Sequence, residues 1–173
     1  MKKQMTMKKI AFPAMIAALY FVLSMPFLSL SFGPVQCRLS EALTILPIFN
    51  PWAICGLVIG CAVTNLAGVA LGTNILGAAD ILIGTAATLI AAVLTYWLRN
   101  LRIKKWPVWA TLPPVLINAA VVGGEMHFAW GALPVWAYVA QVGAGQVIAC
   151  VLLGLPLALA LEKTGFAEKL RAI

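Results

Sequence analysis

The chain has 173 residues, of which 63% are hydrophobic and 10% charged, with a mean hydropathy of +1.01. A soluble domain needs far more polar surface than that, and apolar runs of about 20 residues recur along nearly the whole length, so the composition excludes a soluble globule and predicts an all-α integral membrane protein. The net charge of +7, from 12 Lys and Arg against 5 Asp and Glu, is read as membrane topology and not as nucleic-acid binding, because the cations fall in clusters between apolar runs.

Six spans are predicted in chain order, at about 10–28, 40–49, 52–71, 78–98, 108–126 and 134–161, forming a single transmembrane domain. The first resembles a signal peptide in its basic start, but its apolar stretch is long and no A-x-A site follows, so it is read as an uncleaved helix. The second contains Pro47 and only about ten apolar residues, too few to cross about 30 Å of hydrocarbon unless its neighbours shelter it. Asn50-Pro51 makes the turn into the third. The last is long enough to tilt or to bend near Pro156.

Lys2, Lys3, Lys8 and Lys9 precede the first span, Arg99, Arg102, Lys104 and Lys105 follow the fourth, and Lys163, Lys169 and Arg171 follow the sixth. With six spans these eleven cations share one face, predicted to be cytoplasmic together with both termini. Only Arg38 is elsewhere. Trp97, Trp106 and Trp109 then mark the inner interface, and Trp130 and Trp136 the outer one.

This orientation gathers polar residues at the outer end: Arg38 and Glu41 at the start of the second span, Asn74 and Asp80 before and within the fourth, Glu125, His127 and Trp130 at the end of the fifth. Asn65, Asn118 and Gln141 lie somewhat deeper. An Asp inserted in a membrane costs about 2.5–3.5 kcal/mol, so several such groups at one end point to a polar cavity open to the outside. Asn118 and Glu125, seven apart, lie within about 20° of one helix face and about 10 Å apart along it. Asp80, Gly84, Thr88 and Thr95 follow a similar course on the fourth span. The competing readings are a hydrated interface for His127 and Asn74, a helix cap for Asp80, and an ion pair between Arg38 and Glu41. Gln141 and Gln146 point about 140° apart; depth favours Gln141 as a cavity residue.

Gly56, Gly60, Thr64, Gly68 and Gly72 repeat a small residue at every fourth position of the third span, which permits close helix approach. Ala11, Ala14 and Ala18 make a similar stripe on the first, for internal packing or for docking another membrane protein. No P-loop, no HExxH, no GxSxG and no CxxC motif occurs, so neither an enzyme nor a metal or other cofactor is indicated. The four cysteines read as small apolar fillers.

Residues 35–47 (VQCRLSEALTILP), followed by residues 56–65, resemble the signature of the QueT family, substrate-binding S components of energy-coupling factor (ECF) transporters. Residues 80–85 (DILIGT), Asn118-Ala119, Gly123-Gly124-Glu125 and residues 154–157 (GLPL) add to the resemblance, which covers about residues 8–165. It departs at Gly145-Gln146, where a Gly-Glu pair is expected. The resemblance implies a six-helix S-component bundle in a bacterial plasma membrane, a queuosine precursor (a 7-deazaguanine base or queuine) captured at the outer face, and import driven by a transmembrane T subunit and two ATPase subunits. The expected substrate contacts are Glu125, Asn118, Asp80, Glu41, Arg38, Asn65, Trp130 and Gln141, with Ala11, Ala14 and Ala18 docking the T subunit. Other readings of the same residues are a membrane scaffold that binds no small ligand and a proton-coupled carrier that works without an ATPase.

The topology has a direct test. In intact cells a Lys104→Cys variant is expected to resist a membrane-impermeant thiol reagent, and labelling from outside would refute the six-span arrangement.

Overall fold

The computed structural model describes residues 2–33 and 35–173, the side chains of residues 2–6 and 29 apart; Lys2 and Lys3 of the first basic cluster thus lie outside the described side chains. Among the described residues there is no β-strand, only one isolated bridge between Ile103 and Trp106. The helices are α1 (Lys2–Ser24), a short α2 (Leu28–Ser31), a 3-10 helix (Leu39–Ile48), α3 (Trp52–Ala70), α4 (Ala79–Trp97), α5 (Leu112–Trp130), α6 (Val135–Gln146), a π-helical segment (Val147–Leu153), α7 (Gly154–Lys163) and α8 (Phe166–Arg171). Five segments, Met7–Phe27, Trp52–Ala70, Ala79–Asn100, Val108–Trp130 and Val135–Lys163, are long and apolar enough to cross a membrane.

The predicted second span is the 3-10 helix, and every residue from Ser40 to Ile48 is buried. A 3-10 helix rises about 2.0 Å per residue, so this segment covers about 20 Å where an α-helix would cover about 15 Å. Such helices seldom exceed three or four residues; here packing against α1, α3, α4, α7 and the π-helical segment holds ten. Its two ends are tied to opposite ends of the bundle. Arg38, just before it, pairs with Asp80 in the first turn of α4, and Asn50, just after it, donates through Nδ2 to the carbonyl of Leu170 in α8 at 2.7 Å.

Small residues set the distance between α1 and α3. A Cβ on Gly56 would stand 2.6 Å from the Pro13 carbonyl oxygen, and one on Gly60 would stand 2.7 Å from the Tyr20 Cβ. Gly68 is pressed by the Phe32 ring in the same way. Gly72, the last member of the predicted stripe, packs on nothing and sits in the turn at φ +68°. The opposite face of α1, with Ala11, Ala14 and Ala18, is exposed.

The fifth span runs four residues beyond its expected end, to Trp130, where Gly131 takes the left-handed conformation and its N–H bonds the His127 carbonyl. The sixth is irregular near Pro156, where the π-helical segment ends three residues before the proline. Proline lacks an N–H and removes one i→i−4 bond from a helix, and Pro156 follows the end of the π-helical turns.

An Ala at Gly60 is expected to lower the thermal unfolding midpoint in detergent, overpacking costing about 1–3 kcal/mol. Ala at Gly124, where a Cβ meets nothing within 4 Å, is expected to leave the midpoint unchanged or raised. Equal effects would remove the α3 stripe as the determinant of α1 packing.

Candidate functional site

At one end of the bundle the polar residues of five helices converge. Arg38 and Asp80, 5% and 0% exposed, form an ion pair with Nη2 3.1 Å from Oδ2. Arg38 also donates from Nε to the Ser31 carbonyl at 3.0 Å, and its guanidinium lies 4.8 Å from the centre of the Phe32 ring. Asp80 accepts from Asn74 Nδ2 at 2.8 Å on the same Oδ2, and its backbone carbonyl accepts from Asn65 Nδ2 at 2.8 Å. The pair thus ties the start of the 3-10 helix to α3, α4 and the turn between them.

This geometry decides against three of the competing readings. Arg38 pairs with Asp80 and not with Glu41. Asp80 is no helix cap, since its carboxylate faces Arg38 and Asn74. Asn74 is buried and holds Asp80, so a hydrated interface describes only His127, whose Nδ1 lies 3.0 Å from the Leu133 carbonyl.

Glu41 is 1% exposed. Its Oε1 accepts the hydroxyl of Tyr20 on α1, and its Oε2 accepts from Asn118 Nδ2 on α5 at 3.4 Å. Tyr20 was not among the expected site residues: an aromatic on an apolar helix reads as core, and only the fold brings it 21 positions along the chain to Glu41.

Between these groups lies a cavity of about 10 Å³, lined by Gln36, Arg38, Glu41, Gly84, Thr88, Asn118, Val122 and Gln146. That is room for about one water. Its tight points are glycines. A Cβ on Gly84 would collide with Asp80 Oδ1, and one on Gly145 with the backbone carbonyls of Val35 and Gln36. Gln146 lines the cavity and Gln141 does not, so orientation outweighs depth on α6. Thr95 is at the far end, donating to the Ala110 carbonyl at 3.0 Å.

Buried with no hydrogen-bond partner among the described residues are Gln36 Nε2, which lines the cavity, and, outside its lining, Thr64 Oγ1, Asn65 Oδ1, Asp80 Oδ1, Thr85 Oγ1, Gln141 Oε1 and both oxygens of Glu125. Glu125 lies one turn beyond Val122 on the Asn118 face of α5. A buried unpaired polar group costs about 1–3 kcal/mol, more when charged, so these atoms are the groups at this end with most to gain from a further partner. Trp130, the last residue of α5, is 40% exposed and tilted against Tyr138 with ring centres 6.1 Å apart.

The opposite end carries Lys8, Lys9, Arg99, Arg102, Lys104, Lys105, Lys163, Lys169 and Arg171, brought together by contacts such as the Arg102–Glu162 pair at 2.6 Å and Lys9 over the Trp52 ring. A helical bundle with five apolar helices long enough to cross a membrane, a basic end and a small polar cavity at the other end is a multi-pass membrane protein. The chain belongs to the QueT transporter family, whose profile matches residues 10–163. Over 79 residues it is 37% identical to the queuosine precursor transporter QueT of Lactococcus lactis subsp. cremoris (strain MG1363). That match covers 44% of this chain and 43% of the relative, so the similarity spans less than half of the curated protein. No solved structure matches the chain.

Replacing Arg38 alone with Met leaves Asp80 buried and unpaired, and is expected to cost about 3–5 kcal/mol of stability. The double variant Arg38→Met/Asp80→Leu is expected to recover most of that in thermal unfolding. Equal losses in the single and double variants would show that the pair does not carry the packing at this end.

Proposed function

We propose that this protein is the substrate-binding S component of an ECF-type importer in a bacterial plasma membrane, capturing a queuosine precursor of the 7-deazaguanine class at the outer face. The observation that carries the reading is Glu125, a buried carboxylate with both oxygens unpaired, on the helix face that also presents Asn118 to the cavity. A deazaguanine offers a ring N–H and an amino group side by side, which one carboxylate accepts together as a charge-assisted fork. The Asn118 amide can donate to a ring carbonyl or accept from an N–H, so the two residues, about 10 Å apart along α5, read one edge of the base.

The remaining expected contacts divide by how occupied they already are. Asp80 keeps Oδ1 without a donor, which suits an aminomethyl ammonium where the substrate has one. Glu41 is held by Tyr20 and Asn118 and reaches a ligand only by exchanging one of them. Asn65 and Gln141 each offer an unpartnered Oδ1 or Oε1, Arg38 serves by holding Asp80, and Trp130 offers a ring to stack on a base. A bicyclic base is far larger than a single water, so binding requires the cavity walls to move.

The proposed topology has six passes, with the 3-10 helix as the second and both termini cytoplasmic. Its support is the collection of basic residues at one end and the tethering of the 3-10 helix to both ends. Binding shifts an equilibrium and cannot by itself concentrate a solute, so energy enters through a T subunit and two ATPases. The exposed face of Ala11, Ala14 and Ala18 is the proposed T-subunit contact, because small side chains let helices approach closely where lipid supplies little hydrophobic drive.

The test is equilibrium binding of a 7-deazaguanine to the purified full chain. Glu125→Gln is expected to weaken it by about 1.5–3 kcal/mol, the range for hydrogen bonds to a charged group, with the thermal midpoint retained. Unchanged affinity in a folded Glu125→Gln protein would overturn the assignment of the central residue.

A further inference from the structure

At the basic end a cavity of about 640 Å³ opens between the exit of the 3-10 helix, the end of α4 and the α7–α8 corner. Its floor is apolar, formed by Ile48, Phe49 and Pro51, and its walls hold Arg99, Arg102 and Arg171 against the single carboxylate of Glu162. Three cations and one anion leave a formal charge of +2.

The three arginines are not equivalent. Arg102 is committed, its Nη1 and Nη2 donating to the two Glu162 oxygens at 3.1 and 2.6 Å. Arg171 reaches the same carboxylate only at 3.9 Å, beyond hydrogen-bond distance, and lies over the Phe49 ring at 5.6 Å. Arg99 stacks on the Tyr96 ring at 4.0 Å and donates one Nη1 bond to the Tyr96 carbonyl at 3.0 Å. Most of the N–H donors of Arg99 and Arg171 are therefore free to meet an anion, and both guanidinium planes are held by aromatic rings.

The position of the cavity relative to a bilayer is marked independently. Trp52, Trp97 and Trp106, which are 41%, 68% and 41% exposed, surround the same end, and exposed tryptophans of membrane proteins sit at headgroup level. A cationic cavity at that height, partly lined by Ile48, Phe49 and Pro51, has the chemistry of a phospholipid headgroup site. The planar guanidinium fork suits phosphate oxygens.

We propose that this cavity binds the phosphate of an anionic phospholipid from the leaflet at the basic end, with Arg99 and Arg171 as the donors and the Arg102–Glu162 pair as the fixed wall. The inference is independent of the transported ligand, because no residue of the polar cavity at the other end takes part.

The experiment is native mass spectrometry of the detergent-purified full chain with equal amounts of phosphatidylglycerol and phosphatidylcholine of the same acyl chains. Phosphatidylglycerol is expected to be retained preferentially. Each interfacial cation contributes about fivefold to binding of an anionic headgroup, so Arg99→Gln/Arg171→Gln should lower that retention about 25-fold and leave phosphatidylcholine unchanged. Arg99→Lys/Arg171→Lys should restore a large part of it, which separates lost charge from lost folding. Equal retention of the two lipids overturns the proposal, as does undiminished phosphatidylglycerol in the Gln variant. Displacement of the lipid by an equal concentration of inorganic phosphate overturns it in favour of a free-anion site.

Discussion

The buried Arg38–Asp80 pair is the interaction on which the arrangement of the polar end depends. A guanidinium placed among apolar helices has no water to lean on, so its remaining donors must be met by protein. Here Asp80, the Ser31 carbonyl and the face of Phe32 meet them. The partners come from two separate parts of the chain, and satisfying one charge therefore fixes the start of the 3-10 helix against the end of α2 and against α4. Asp80 in turn draws in Asn74 and Asn65. Desolvating two charges is expensive, which makes the pair a poor source of stability and a strong source of register.

Irregular helices meet beside this network. The 3-10 helix packs on the π-helical segment Val147–Leu153, one wound tighter and the other looser than an α-helix. The stretched winding lets ten residues link the two ends of the bundle, and the widened winding opens the facing helix where Glu41, Thr44, Gln146 and Cys150 touch. Thr44 Oγ1 lies 3.7 Å from the Cys150 sulfur, and the Cys150 thiol donates to Gln146 Oε1 at 3.4 Å. Departures from regular winding collect at functional sites because they re-aim side chains that a regular helix would turn elsewhere.

The two ends of the molecule solve opposite electrostatic problems. At the polar end, carboxylates and amides are withdrawn from solvent and left partly unpaired. At the basic end, cations remain near water and headgroups, where like charges tolerate one another, and aromatic rings rather than carboxylates hold two of the arginines in place. Membership in the QueT transporter family gives the first end its substrate class by proposal. The second end is described by charge and height alone.

Much of this was legible in the sequence. Hydropathy and the positions of Lys and Arg predict the long helices and the gathering away from Arg38 of the nine cations whose side chains are described, because both depend only on local composition and the cost of burying charge. The glycine repeat on α3 announces a close helix contact for the same reason: the absence of a side chain is visible without a partner. What the sequence could not decide was who pairs with whom. Glu41 is three residues from Arg38 and was a natural partner for it, yet the fold gives Arg38 to Asp80, 42 positions away, and Glu41 to Tyr20 and Asn118. Gln146 took the cavity place that depth assigned to Gln141, because the angular position of a side chain around a helix is set by which neighbours pack against it. Hydrophobicity is a property of each residue and can be read along the chain. Pairing of buried polar groups is a property of the packed whole, and only the tertiary structure decides it.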